Sequence, residues 1–282
     1  MEMKIPDELK EQVPQSTWGK VLTATPVVMT VVATLLAGLA SSEMTHAQYS
    51  RALAAQQQSK TGDQWSFFQA KRLRGALQLS TLDVLQLGGP VHPLEGTIAA
   101  SMAMPAPPAG SKKPDPAVEA AASALQAGRP ESEVVAIAAK LDEGALDAAI
   151  RATQERSTAF DAELKPVDQK VEELEKESAG KPEHRDVVAA RLKYMSQRYE
   201  AQARLNQTIA YLYELEVRKS NFTADRHERR SQRFFLGMLA AQAAVIIATF
   251  ALAARKRSWL WIVAATAGAA AVGFAIYVYL FI

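Results

Sequence analysis

Four histidines, His46, His92, His184 and His227, are the first candidates for metal or acid–base chemistry. They are widely separated, so a His-only or His–carboxylate metal site would require the fold to bring them together. The chain has no cysteine, which removes disulfides, thiolate nucleophiles and Cys-based zinc or iron–sulfur sites. A Gly-rich phosphate loop, a G-x-S-x-G elbow and an H-E-x-x-H helix are all missing from the sequence. No catalytic residue, cofactor or metal ion is therefore expected, and the protein does not read as an enzyme. The remaining polar candidates are of a binding kind. Asp63 and Lys71 stand eight residues apart on one face of a helix beside Trp65, where a ligand or a polar contact between helices explains them equally. Glu172, Glu173, Glu175 and Glu177 read as a solvated helix face. Arg226, Arg229, Arg230 and Arg233, and the separate run Arg255, Lys256 and Arg257, either meet anionic lipid headgroups or mark the ends of membrane spans.

These residues must be positioned by helices, three of which are apolar enough to leave water. Residues 21–40 form an uncharged run of twenty, enough to cross a hydrocarbon core of about 30 Å. Trp18 and Lys20 at its entry suit a headgroup boundary. Gly38, Leu39 and Ala40 resemble a signal-peptide cleavage site, but the apolar run is long for that purpose and follows an extended polar leader, residues 1–20. Residues 234–254 make a second span and 258–282 a third, joined by a hairpin at Arg255, Lys256, Arg257 and Ser258. Trp259 and Trp261 anchor one end of the last span, Tyr277 and Tyr279 the other. Gln242 is the one strongly polar side chain deep in a span, read as a helix–helix hydrogen bond, a pore-lining group or a tolerated amide. Ala265, Ala269 and Gly273 recur every four residues, a spacing that lets another helix approach. The short basic hairpin predicts that it and the N-terminus are cytoplasmic, with the domain between the first two spans on the other side.

That domain reads as helical nearly throughout. Residues 41–87 continue the first span as a stalk helix, with Ala70, Leu73, Leu77, Ser80, Val84 and Leu87 at alternating three and four spacing. Residues 183–233 return as a second stalk helix antiparallel to it, striped by Val188, Leu192, Met195 and Tyr199 and then by Leu205, Ile209 and Leu212. Between them, 88–116 holds seven of the thirteen prolines and reads as an extended linker. A helical cap, 117–180, follows, with short helices at 117–127 and 131–141. It ends in an unbroken heptad, Leu146, Ile150, Thr153, Ser157, Phe160, Leu164, Val167, Val171 and Leu174, that demands a partner helix. Pro166 should kink or split that helix. Trp65, Phe67 and Phe68 lie roughly 37 Å along a straight helix from the first span, and the same count back from the second reaches Ile209, Tyr211 and Tyr213. An aromatic cluster between the stalk helices is predicted at that level, as a helical core or a pocket wall.

Three stretches resemble an uncharacterised bacterial membrane-protein family, domain of unknown function family 4337. They are Asp63, Gln64, Trp65, Ser66, Phe67, Phe68, Gln69, Ala70 and Lys71; the basic approach from Arg226, His227 and Glu228 to Phe234; and the hairpin from Arg255 to Leu260. The resemblance implies a membrane-entry helix, a helical soluble section, a C-terminal span pair and a place in a bacterial inner membrane. It implies no activity. Residues 88–141 look like an insertion relative to that pattern.

The expectation is an all-α protein of three transmembrane helices with a long, antiparallel, coiled-coil-like soluble domain between the first and second. Its expected role is a membrane-anchored, homo-oligomeric scaffold whose partners are the bilayer and further copies of itself. A channel component lined by Gln242, or a ligand sensor, are the alternatives. Lys and Arg total 32 against 30 Asp and Glu, a balance that does not favour nucleic acid.

Overall fold

The computed structural model describes residues 17–94, 96–108, 115–253 and 259–281. The Arg255, Lys256 and Arg257 hairpin lies outside these residues, as do the side chains of Trp18, Lys20, Trp261 and Tyr279. Every regular element among the described residues is an α-helix: α1 (Thr17–Leu87), α2 (Gly96–Ser101), α3 (Pro116–Gln126), α4 (Glu131–Ala138), α5 (Glu143–Ser178), α6 (His184–Ala253) and α7 (Leu260–Phe281). They form two compact units, Met1–Arg51 with Thr223–Ile282, and Ala52–Phe222.

The first unit packs α1, α6 and α7 through small side chains. Ala33, Ala241 and Ala271 meet in one layer; Leu36, Ala40 and Phe234 meet in another, with Phe274 against them. Gly268 lies so close to Met29 that an added Cβ would stand 2.6 Å from the sulfur. Ser231 donates to the Ala40 carbonyl at 2.7 Å and ties α6 to α1. Many of the large apolar side chains point the other way. Val27, Val31, Leu35, Phe235, Ile246, Phe250 and Ile262 are all exposed. Leu36 and Phe234 apart, alanines fill the buried contacts and many branched or aromatic residues lie outside, which runs against the pattern of a water-soluble core; close backbone approach through small residues is how helices associate in lipid.

In the second unit α6 is the central helix. As α1 partners rise from Gln57 through Trp65 to Leu85, their α6 partners fall from Ser220 through Glu214 to Arg185, so the two helices run in opposite directions. On its other side α6 meets α5 in the same sense: Gln154 with Tyr213, Asp161 with Gln202, Asp168 with Tyr194 and Glu175 with Arg191. Gly180, at φ +78°, supplies the left-handed residue in the turn between α5 and α6. Asp115 and Asp142 cap α3 and α5, each accepting a 2.8 Å bond from a first-turn amide. Leu146 and Ile150 of α5 join Val118, Val134, Leu212 and Leu215 in one core. Phe160, Leu164 and Val171 join Met102, Tyr194 and Leu205 in another.

One expectation is met within the chain and three change here. The α5 heptad finds its partner inside the chain, since Leu146, Ile150, Thr153, Phe160, Leu164 and Val171 are buried against α6 and the short helices. Pro166 does not split α5: the helix runs through it, with the proline on the exposed side and Leu164 and Val167 packed on the core side. The Pro-rich linker contains a helical turn and a half, α2, whose following residue Met102 enters the core. The α1 stripe of Ala70, Leu73, Leu77, Ser80, Val84 and Leu87 does not face α6; all six residues are exposed. The face that packs on α6 runs through Ala54, Gln57, Thr61, Gly75, Leu82 and Leu85, a heptad register displaced by about half a helix turn. Small and hydrogen-bonding residues won that position because Gly75 admits the Ser196 carbonyl and Tyr199 Cβ, each 3.5 Å from where its own Cβ would be. Gln57 contributes as well, accepting from the buried Ser220 hydroxyl.

Candidate functional site

The ring of Trp65 meets Tyr211 edge to face at 5.3 Å between centroids, and Phe68 at 5.4 Å. Its indole N–H donates to Glu214 Oε1 at 2.8 Å, and Glu214 also holds Arg218 at 3.1 Å. Arg218 reaches on to Glu131 of α4 at 2.9 Å, so one network joins α1, α6 and α4. Trp65, Phe68 and Tyr211 therefore gather as predicted from their equal counts along the two helices. Ile209 and Tyr213 turn instead toward α5, where Tyr213 accepts from Gln154 at 3.0 Å. Phe67 is exposed. Gln64 is half-buried, and its side-chain oxygen has no hydrogen-bond partner among the described residues.

One turn further along α6 the three helices enclose charge. Lys60 of α1 stands over the Tyr213 ring at 5.6 Å. Glu216 of α6 faces Asp147 of α5; burial first, then the Asp147 charge, pushes its carboxyl up to about 7. Lys60 opposes that rise and Glu143 adds to it. Lys71 is half-buried and its ammonium is lowered, chiefly by desolvation, with Asp161 acting against that. Asp63 is exposed on α1. Tyr194 donates to Asp168 at 2.8 Å, and burial followed by that bond raises its phenol.

A groove of about 760 Å³ runs between α3, α5 and α6, walled by Ala122, Ala145, Ala148, Ala149 and Ala152. A second hollow of about 610 Å³ shares Thr153, Arg156 and Thr208 with it. Arg156 donates to the Pro108 carbonyl at 3.0 Å, so its guanidinium fastens the Pro-rich segment to α5. Among the described residues, no group of three or more His, Asp or Glu side chains is placed to hold a metal ion.

In the first unit a charged collar joins α1 to α6. His227 Nδ1 lies 2.6 Å from Glu43, its ring 5.3 Å from that of His46, and Arg230 lies 3.8 Å from Glu43. Arg51 pairs with Glu228 and, at 3.7 Å, with Asp225. Arg229 bonds back to its own helix through the Asp225 carbonyl, Arg226 is exposed and Arg233 half-buried. Gln242 is exposed on α6 and makes no hydrogen bond among the described residues. Glu43 and His46 lie one helical turn apart, a spacing that was the available signal for this collar. Glu216 was signalled too, as a carboxyl three residues beyond Tyr213 on an otherwise apolar stripe.

An all-helical protein with two helices, α1 and α6, long and apolar enough to cross a membrane is what these elements define. Residues 18–129 match the model of a family described as a domain of unknown function (DUF4337). The match takes in Trp65 and its neighbours, runs on through most of the supposed insertion and ends in the turn after α3. No curated protein and no solved structure matches the chain.

Proposed function

We propose that the protein is a membrane-anchored helical scaffold that works as a homo-oligomer. The observation that carries this reading is the inverted packing of the first unit. In the most apolar stretch of α1 17% of the residues are buried inside the protein, and in that of α6 33%. Such helices leave their branched and aromatic side chains to be covered by lipid. α7, at 22 residues, has the length for a third span by its rise of about 1.5 Å per residue. The short basic run 255–257 between the last two apolar stretches favours a cytoplasmic side for itself and the N-terminus, with residues 52–222 opposite. In that unit several charged groups pair with one another, as in Glu214 with Arg218, Asp168 with Arg198 and Glu175 with Arg191. This is the chemistry of a held shape, and we assign it a structural role.

Two measurements test the proposal. Membranes washed in concentrated salt and then in alkaline carbonate should retain the protein, and a mild detergent should release it. The mass of the detergent-extracted protein, from light scattering or native mass spectrometry, should be a defined multiple of the chain. Release by salt alone would sink the anchored reading, and a clean monomer the oligomeric one.

A further inference from the structure

We infer that the outward face of α1 between Ala70 and Leu87 is the seam along which two copies of this chain pair, in parallel and in register. The inference rests on the anchored, oligomeric reading above and names the surface it would use. Leu73 is 63% exposed, Leu77 56%, Val84 66% and Leu87 88%. Together with Ala70 and Ser80 they occupy every a and d position of an 18-residue stretch, the narrow stripe that a coiled-coil partner covers rather than the broad face of a globular core. The α5 heptad has the same spacing and is buried; on α1 that pattern is left uncovered by the chain's own fold. Its limits are drawn in the same register. One heptad earlier the a and d positions are Asp63 and Ser66, both exposed, and the helix ends after Leu87.

A second copy fits this stripe because an a/d seam is self-complementary in parallel register and its flanks oppose no like charges. In parallel register each g position faces the e position five residues on in the partner. Gln69 then faces Arg74, Ala76 faces Thr81 and Asp83 faces Gly88, so no like charges are opposed. The other cations nearby already have partners within the chain. Lys71 is half-buried toward Asp161, and Arg72 lies 4.0 Å from Glu200 on α6 and over the Phe68 ring. Parallel order follows from anchorage, since in two copies held in one bilayer α1 begins at the same surface. A seam this short belongs to the class of contacts below about 1,200 Å². Tethering both copies to one membrane raises their effective concentration toward about the millimolar range and lets such a contact hold.

The natural chain lacks cysteine, so single cysteines report one position each. Full-length Leu77→Cys and Val84→Cys proteins, oxidised in membranes, should each give a disulfide-linked dimer. Glu163→Cys, exposed on α5, should stay monomeric on the same gel. The Leu73→Glu/Leu77→Glu protein, altered only at exposed positions, should keep its helical circular dichroism while its detergent-extracted mass falls to that of a single chain. An oligomeric mass with linkage at Glu163→Cys and none at Leu77→Cys would overturn the seam and leave the scaffold reading standing. A wild-type monomer, with freely alkylated Leu77→Cys, would overturn both.

Discussion

Glu216 is where a single side chain makes the fold sensitive to pH. Its carboxyl ordinarily titrates near 4.5 and in the folded protein near 7, because burial and Asp147 favour the protonated form. The folded state therefore binds the proton more tightly than the unfolded one. The resulting stability is fully present below about 4.5 and is lost as pH rises through about 7. Solvent reaches this half-buried group, so the effect is on the order of 1 kcal/mol. Thermal unfolding of Glu216→Gln across pH 5 to about 8 should lack that decline, and the variant should be the more stable protein at the alkaline end; an unchanged profile would show that another group controls it. Trp65 acts through geometry. Replacing it by Phe keeps the edge-to-face contacts and loses the bond to Glu214, a cost of about 1 kcal/mol. Replacing it by Ala loses both, about 3 kcal/mol. Equal losses in the two variants would mean that the rings contribute nothing and the hydrogen bond everything.

At the scale of elements, α1 and α5 carry heptads of the same spacing with opposite fates. On α5, Phe160 is fully enclosed by α6 and by Met102. Phe160→Ala should cost about 3–5 kcal/mol of stability, read as a fall in the unfolding midpoint. Leu73→Ala on α1 removes a side chain that meets water and should leave the midpoint of a single chain within about 0.5 kcal/mol. A large loss at Leu73 in a chain kept monomeric would place that side chain in the core after all. The difference arises because α6 has two faces and both are occupied, one by α5 and the other by the small-residue register of α1. Gly75 lets α1 come closer to α6 than a leucine would, and Gln57 fastens the two helices by accepting from Ser220. The stripe leucines of α1, Leu73, Leu77 and Leu87, are left on the outside.

For the whole molecule, what the sequence by itself determined is the set of elements. Charge-free runs, the loss of proline and glycine over long stretches, and heptad spacing are local properties, each carried by neighbours three or four residues apart, so the long helices and their apolar portions were legible. The meeting of Trp65 with Tyr211 was legible too, because equal counts along two helices of fixed rise bring such residues level. Tertiary structure alone decided which face of each helix is covered. Apolar periodicity shows that a stripe exists but not which competing face packs more closely. On α1 the glycine, threonine and glutamine face won over the leucines. It likewise decided that the α5 heptad folds back on α6, that Glu43 and His227 meet across 184 residues, and that Glu216 comes against Asp147. Those pairings depend on distance in space, which helical rise fixes along an element and only packing fixes between elements.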